Sequence, residues 1–330
     1  MLVLGIESTA HTFGIGIFDG KKKKILANVR DTFTSTEGGM IPNVVAQHHK
    51  EVKETILEKA LTAAKLTIDD IDLIAYSASP GLAPCLLVGR DFAVALGEKH
   101  KIRVIGVNHI ICHLEIGLFC TKAKDPIFLF CSGANTQVIA YEDRYRIFGE
   151  ALSIAVGNAL DKFARNIGLG FPGGPKIEEL AKKGEYVELP YRVKGMDVDF
   201  SGIVTKATEL HKKGTPVEDL CFSLQETMFA MLIEVTERAL AHCEKDEVLL
   251  IGGVAANKRF SQMLETMCKA RDAKAYIVPM EYAGDQGAMI AYQGWQERGR
   301  DEKIHDIDPR LRIDEIKTFW KKEIKLEEDP

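Results

Sequence analysis

Short apolar runs alternate along most of the chain with longer segments whose apolar positions recur every three or four residues. Residues 2–6 read as a buried strand, 7–12 as a polar turn and 13–18 as a second strand, a hairpin with an acid and hydroxyls at its tip. Val45, Val52, Ile56, Ala60 and Ala64 keep helical spacing, so residues 44–64 are predicted as a helix. A strand over 73–77, a Ser79-Pro80-Gly81 turn, a helix over 83–96, a strand over 103–107 and a helix opening near His109 follow.

At Pro126 the pattern restarts. Residues 127–131 read as a strand, Ser132-Gly133-Ala134-Asn135-Thr136 as a small polar turn and 137–141 as a second strand, the layout of the opening hairpin repeated. Internal duplication of an α/β unit is therefore expected, with the boundary placed near 125: one domain over 1–125, a second over 126–330. Downstream, the pattern predicts helices over 156–167, 175–183 and 217–243, and a Gly/Asp/Ser-containing segment over 195–202. A strand over 248–251, a helix from Asn257, a strand over 276–278, a helix from about Gly287 and a frayed tail over 326–330 complete the reading.

Composition narrows the class. The 330 residues are 46% hydrophobic and 28% charged, which excludes a disordered chain and a small disulfide scaffold and fits two domains. A net charge of -5 argues against binding nucleic acid through bulk charge, leaving local groups such as Lys21 to Lys24, Lys212 with Lys213, and Lys321 with Lys322, each also readable as solvated lysines. Seven scattered cysteines without a C-x-x-C pair read as reduced thiols of a cytoplasmic protein. With no basic leader and no run of about 18 apolar residues, neither export nor a membrane span is expected.

The candidate chemistry lies at the strand ends. Glycine-rich turns between strand and helix aim backbone N–H groups at one point and suit an anion. Gly252-Gly253-Val254-Ala255-Ala256-Asn257 and Pro172-Gly173-Gly174-Pro175 are such junctions, and with Glu7 to Thr9 and Ser132 to Thr136 they make a nucleotide the natural ligand. Each glycine pair alone is equally a plain tight turn. His109 and His113, four apart, share a helix face and could share a metal, with Asp285 in its Gly-flanked turn as third ligand; both histidines could instead cap or pack. His48 and His49 read as structural or surface residues, and Glu115 as a solvated helix residue. A zincin needs Glu directly after the first His, and Ile110 stands there; no G-x-S-x-G elbow offers a serine.

Seven segments, in order over nearly the whole chain, together resemble one family. They are Gly5-Ile6-Glu7-Ser8-Thr9-Ala10-His11-Thr12, Val107-Asn108-His109 through His113-Leu114-Glu115-Ile116-Gly117, and Ser132-Gly133-Ala134-Asn135-Thr136-Gln137. Gly170-Phe171-Pro172-Gly173-Gly174-Pro175, Lys194-Gly195-Met196-Asp197 with Phe200-Ser201-Gly202, the Gly252 to Asn257 turn, and Gly284-Asp285-Gln286-Gly287-Ala288-Met289 complete the set. The chain thus resembles the universal tRNA threonylcarbamoyltransferase family, above all the archaeal catalytic subunit of the KEOPS complex. The resemblance implies a two-lobed actin/hexokinase/heat-shock-chaperone-like (ASKHA) α/β fold with duplicated subdomains and a nucleotide between the lobes. It implies transfer of threonylcarbamoyl from threonylcarbamoyl-AMP to N6 of the adenosine 3′ of the anticodon in tRNAs reading ANN codons. It further implies iron or zinc on His109, His113 and Asp285, and an adenine nucleotide, threonylcarbamoyl-AMP or ATP. Phe130, Cys131, Ser132, Gly133 and Ala134 would line its phosphate or acyl region, Asp161, Gly174 and Glu178 the ribose, and Gly253 and Asn257 the nucleotide. Glu7 and Asp285 are the candidates for a catalytic base. The implied partners are tRNA and the KEOPS subunits: a small kinase/ATPase, a dimerising subunit and an accessory one.

Three departures from the family pattern stand out. Phe130 replaces a tyrosine able to ligate metal, Gly133-Ala134 replaces Gly-Gly, and Asp285-Gln286-Gly287 replaces Asp-Asn-Gly. The competing readings are a small-molecule kinase of the same fold, a metallopeptidase, and a nucleotide-dependent scaffold without activity.

Overall fold

The computed structural model describes residues 1–34, 41–300 and 306–321. Lys322 and the tail over 326–330 lie outside them. The chain begins with β1 (Leu2–Glu7), β2 (Thr12–Asp19) and β3 (Lys24–Thr32), whose first two strands are apolar on both faces and almost wholly buried. Next come α1 (Pro42–Ala64), β4 (Leu73–Ser79), α2 (Ala83–His100), β5 (Arg103–Asn108) and α3 (His109–Cys120). The five strands form one sheet in the order β3-β2-β1-β4-β5, an antiparallel meander extended by two parallel strands. Leu4, Ile6, Ile15, Ile56, Ala60, Tyr76 and Phe92 pack the face covered by α1 and α2.

The second run repeats the plan. It contains β6 (Ile127–Cys131), β7 (Thr136–Tyr141), β8 (Tyr145–Glu150), α4 (Val156–Asn166), α5 (Gly174–Ala181), β9 (Val193–Lys194) and β10 (Asp197–Val198). It continues with α6 (Ser201–Lys212), α7 (Val217–His242), β11 (Glu247–Ile251), α8 (Lys258–Ala270), β12 (Lys274–Ile277) and α9 (Met280–Ala283). Read from β8, its main sheet is β8-β7-β6-β11-β12, with β6 and β7 antiparallel and β11 and β12 parallel to β6. Strand for strand this is the order and direction of the first sheet, so the expected duplication is present.

The expected division into 1–125 and 126–330 differs from the observed one. One compact unit comprises residues 1–116 and 285–330, and the other residues 117–284. The chain returns because α10 (Gly287–Gln296) lies on the backbone of β1 and β2. A Cβ on Gly5 would overlap the backbone of Ala291, and one on Gly16 that of Ala288; glycine alone permits so close an approach. Residues 306–321 then run along the first unit: Asp308 N donates to Ala78 O at 2.9 Å, Gly81 N to Pro309 O at 3.2 Å, and Ile313 and Trp320 are buried. All seven cysteines are free thiols, and among the described residues no helix is long and apolar enough to cross a membrane.

Candidate metal centre and nucleotide turns

The metal candidates lie wholly within the first unit. Asn108 ends β5, and its Oδ1 accepts from Ile111 N at 3.1 Å, starting α3 at His109; its Nδ2 is held to Ser79 Oγ at 3.2 Å. One helical turn separates His109 from His113, and their rings meet edge to face with centroids 4.7 Å apart. Asp285 sits just before α10, where Gln286 caps the helix by accepting from Met289 N at 3.0 Å. Arg30 Nη1 donates to the Asp285 carbonyl at 3.3 Å. This places Asp285 Oδ1 at 3.2 Å from His113 Nε2 and 3.5 Å from His109 Nε2.

Two imidazole nitrogens and one carboxylate oxygen thus lie within 4.8 Å of one another. Ligands on a tetrahedral ion with bonds of about 2.0–2.1 Å are separated by about 3.3 Å. The donor set and the spacings of Asp285 to both rings fit such an ion.

Glu7, at the end of β1 and fully buried, completes the cluster. Its Oε2 lies 2.9 Å from His109 Nδ1, so that nitrogen donates to the carboxylate and Nε2 is left as the ligating atom. Its Oε1 accepts from Thr9 N at 2.7 Å and Thr9 Oγ1 at 2.5 Å. Burial lowers the His109 pKa, but the charges of Glu7 and Asp285 outweigh that and hold it up at about 9. For His113 burial dominates and pushes the pKa down, despite the Asp285 hydrogen bond. Burial would raise the Asp285 pKa, yet the His109 charge and the His113 hydrogen bond carry it well below the usual carboxylate range. The site therefore holds an anionic Asp285 against two imidazoles.

Glu7 and Asp285, the expected candidates for a catalytic base, both lie within this cluster. Both oxygens of Glu7 are engaged internally and sealed from solvent, and Asp285 points between the two rings. Glu115 and Lys321 also differ from the solvated residues expected: Glu115 is buried and accepts from Trp320 Nε1 at 3.2 Å, with Lys321 Nζ at 3.1 Å.

The glycine turns all belong to the second unit. After β6, Ser132 Oγ accepts from Asn135 N at 3.0 Å, and the Gly133 carbonyl accepts from Asn158 N at 3.1 Å, fastening the turn to the start of α4. Asp161 Oδ1 accepts from Gly173 N at 2.7 Å, and Glu178 Oε1 from Lys258 N at 2.9 Å. Gly252 has φ 99° and lies so close to Cys131 that a Cβ would overlap the Cys131 carbonyl. Gly174 and Gly253 are different: a Cβ on either would meet nothing within 4 Å. Their backbones border open space, as a turn that admits a ligand requires.

Three expected nucleotide residues are buried or hydrogen-bonded within the second unit. Phe130 and Cys131 are fully buried within the sheet, where they set the base of the Ser132 turn and present no surface to a ligand. Asn257 spends both ends of its amide internally: Oδ1 accepts from Phe260 N at 3.1 Å, and Nδ2 donates to Gln225 Oε1 at 2.8 Å. Sequence reasoning missed Gln225 because it lies mid-helix in α7, 32 residues away. It also read Glu7 without its tie to His109, 102 residues away.

The duplicated α/β architecture is of the ASKHA class of folds, and its first unit carries a buried His-His-Asp candidate metal centre. The HypF structure from T. kodakarensis aligns over 90% of this chain and 48% of its own, with TM-score 0.63 and 15% identity, a likeness of fold. Residues 24–292 match the model of the TsaD family, tRNA N6-adenosine threonylcarbamoyltransferase, and the chain belongs to that family. The tRNA N6-adenosine threonylcarbamoyltransferase of Thermococcus kodakarensis is 51% identical over 330 residues, covering 97% of this chain and all of the relative. A probable bifunctional tRNA threonylcarbamoyladenosine biosynthesis protein of Methanosarcina mazei is 48% identical, covering 99% of this chain and 61% of the relative. The protein is accordingly a transferase acting in tRNA modification, and the kinase, peptidase and scaffold readings fall away.

Proposed function

We propose that the protein transfers threonylcarbamoyl from threonylcarbamoyl-AMP to N6 of the adenosine 3′ of the anticodon in tRNAs reading ANN codons, in the cytoplasm, as the catalytic subunit of a KEOPS assembly. The observation that carries this reading is the His109, His113 and Asp285 cluster, with Glu7 behind it, in a chain about half identical to curated transferases. A carbamoyl-adenylate already carries its leaving group, so positioning and charge stabilisation suffice and no protein nucleophile is required.

His109 and His113 through Nε2 and Asp285 through a carboxylate oxygen would hold one iron or zinc ion. Such an ion supplies Lewis acidity toward an acyl or carboxylate oxygen. Glu7 keeps His109 in the ligating tautomer, and Thr9 keeps Glu7 in place. Backbone N–H groups at Gly133 and Gly253 bind the phosphate, and their dipoles offset the negative charge that gathers on AMP. Gly174 admits the ribose, while Asp161 and Glu178 hold the turns on which it rests. Phe130 gives the metal no fourth protein ligand. Positive charge for tRNA comes from partner subunits, since the chain carries -5. The bifunctional name of the Methanosarcina relative, of which this chain spans 61%, supports a working association with a second protein of the same pathway.

The test is incorporation of labelled threonine into tRNA from supplied threonylcarbamoyl-AMP, with the partner subunits present. Label with wild type, absent with His109→Ala, supports the reading; no label from folded, metal-loaded wild type with active partners refutes it.

A further inference from the structure

The loop between β1 and β2 follows Glu7 and carries Thr9 to the metal cluster, and three successive carbonyls anchor it. Thr9 O accepts from Leu82 N, and His11 O from Phe33 N, both at 2.8 Å and both backbone bonds. The middle one, Ala10 O, is held at 2.8 Å by Nε2 of the buried His49 of α1. This is the one anchor of the three that depends on an ionisable side chain.

The hydrogens of that anchor follow from its partners. A carbonyl only accepts, so His49 Nε2 carries the hydrogen. Burial holds the His49 pKa down at about 4, so the ring is neutral and its Nδ1 is a bare acceptor. That Nδ1 lies 3.4 Å from Nδ1 of His48, which must then be the donor. The other nitrogen of His48, Nε2, lies 2.8 Å from Oδ1 of Asp31 on β3, again an acceptor. His48 thus stands between Asp31 and His49 with one ring nitrogen toward each. Asp31 is half exposed, so protons exchange with solvent at that end. The Phe33 ring stands edge-on to His48. The other titratable groups around the pair are Glu7 and His11 from the loop, whose charges reach His49, and on the α2 side Cys85, whose thiol faces the Pro42 carbonyl. His11 follows Ala10 directly, and its charge also reaches Asp285.

We infer that Asp31, His48 and His49 are positioning residues for the transfer reaction, a hydrogen-bonded chain that sets the Ala10 carbonyl and with it the loop bearing Thr9 and His11 next to Glu7. This inference rests on the proposed function only for its effect on transfer; the chain itself is tested without it.

Long-range proton–nitrogen spectra of the full-length, histidine-labelled protein across pH provide that test, with His48→Gln and Asp31→Asn beside wild type. The expected spectra show His49 as the Nε2–H tautomer, and Ala10 and His11 amide signals that move in His48→Gln and, by less, in Asp31→Asn. Ala10 and His11 signals unmoved in both variants, or a His49 hydrogen on Nδ1, overturn the inference. In the transfer assay, His49→Leu should lower kcat about tenfold, the lower end of what loss of a partner behind a metal ligand costs, with KM for tRNA unchanged. His49→Gln, which keeps a donor for Ala10, should restore most of it. Equal kcat in His49→Leu and wild type also overturns the inference. The expected spectra in a protein that transfers nothing would keep the chain and remove the proposed function instead.

Discussion

The two units share one strand order yet build their functional turns in opposite ways. In the first, the turn after β1 and the start of α3 gather charged side chains: Glu7, His109, His113 and Asp285 are all at least largely buried and hold one another. In the second, the corresponding turns expose backbone, and their side chains serve the turns themselves, as Asp161 does for Gly173 and Asn257 for α8. A metal needs lone pairs from side chains at fixed distances, whereas a phosphate is met by N–H groups that any sequence supplies once the turn is open. Duplication thus provided one strand order that carries two different kinds of turn.

The contrast is broken most severely by removing a ligand. Asp285→Ala or His113→Ala should abolish stoichiometric metal, measured by elemental analysis, and lower transfer about a thousandfold or more, the several kcal/mol a bound cation supplies. Glu7→Gln keeps size and removes the anion that fixes His109; metal affinity, measured by competition with a chelator, should fall by about 10–100-fold with the fold intact. In the second unit the glycines separate by role. Gly252→Ala places a Cβ against Cys131 at a left-handed φ and should lower stability by about 2 kcal/mol or more in denaturant titration. Gly253→Ala, facing open space, should leave stability unchanged and weaken nucleotide binding by calorimetry. Equal effects of the two glycine changes would contradict the distinction.

A smaller effect marks the charged interior of the first unit. Burial pushes the Glu297 pKa up to about 7, despite hydrogen bonds from Gln293 and Arg300, and the nearby Glu115 adds to the rise. The folded protein then binds a proton that the unfolded chain, with an acid near 4.3, has released. This contribution is complete below about pH 4.3 and declines as pH rises to about 7. Glu297→Gln should flatten the loss of unfolding free energy over that window; an unchanged slope contradicts it. Least of all, Asn257→Ala should cost about 1 kcal/mol through the lost cap of α8.

Much of this was legible in the amino-acid order, for identifiable reasons. Helical spacing put His109 and His113 on one face, and flanking glycines marked Asp285 as exposed to a turn; both cues are local. The repeated strand-turn-strand announced duplication, although the return of α10 to the first unit did not show, because it depends on Gly5 and Gly16 meeting Ala291 and Ala288 across the chain. The sequence pattern does not show β8, which is only partly buried and lacks clean alternation, or the start of α6, which falls in a Gly/Asp/Ser segment. The ties from Glu7 to His109, from Glu115 to Trp320 and from His49 to Ala10 join residues far apart in sequence, and no periodicity encodes them. What spacing cannot show is which polar residue another is holding.

The central claim is that two imidazoles and one carboxylate of the first unit hold a single metal ion. X-ray absorption at the metal edge of full-length protein, loaded without oxygen with ferrous iron and separately with zinc, tests it most directly. The account predicts one bound equivalent with two imidazole nitrogens and oxygen at about 2.0–2.2 Å, and loss of that equivalent in His113→Ala. A shell without imidazole, or one unchanged in His113→Ala, would contradict it.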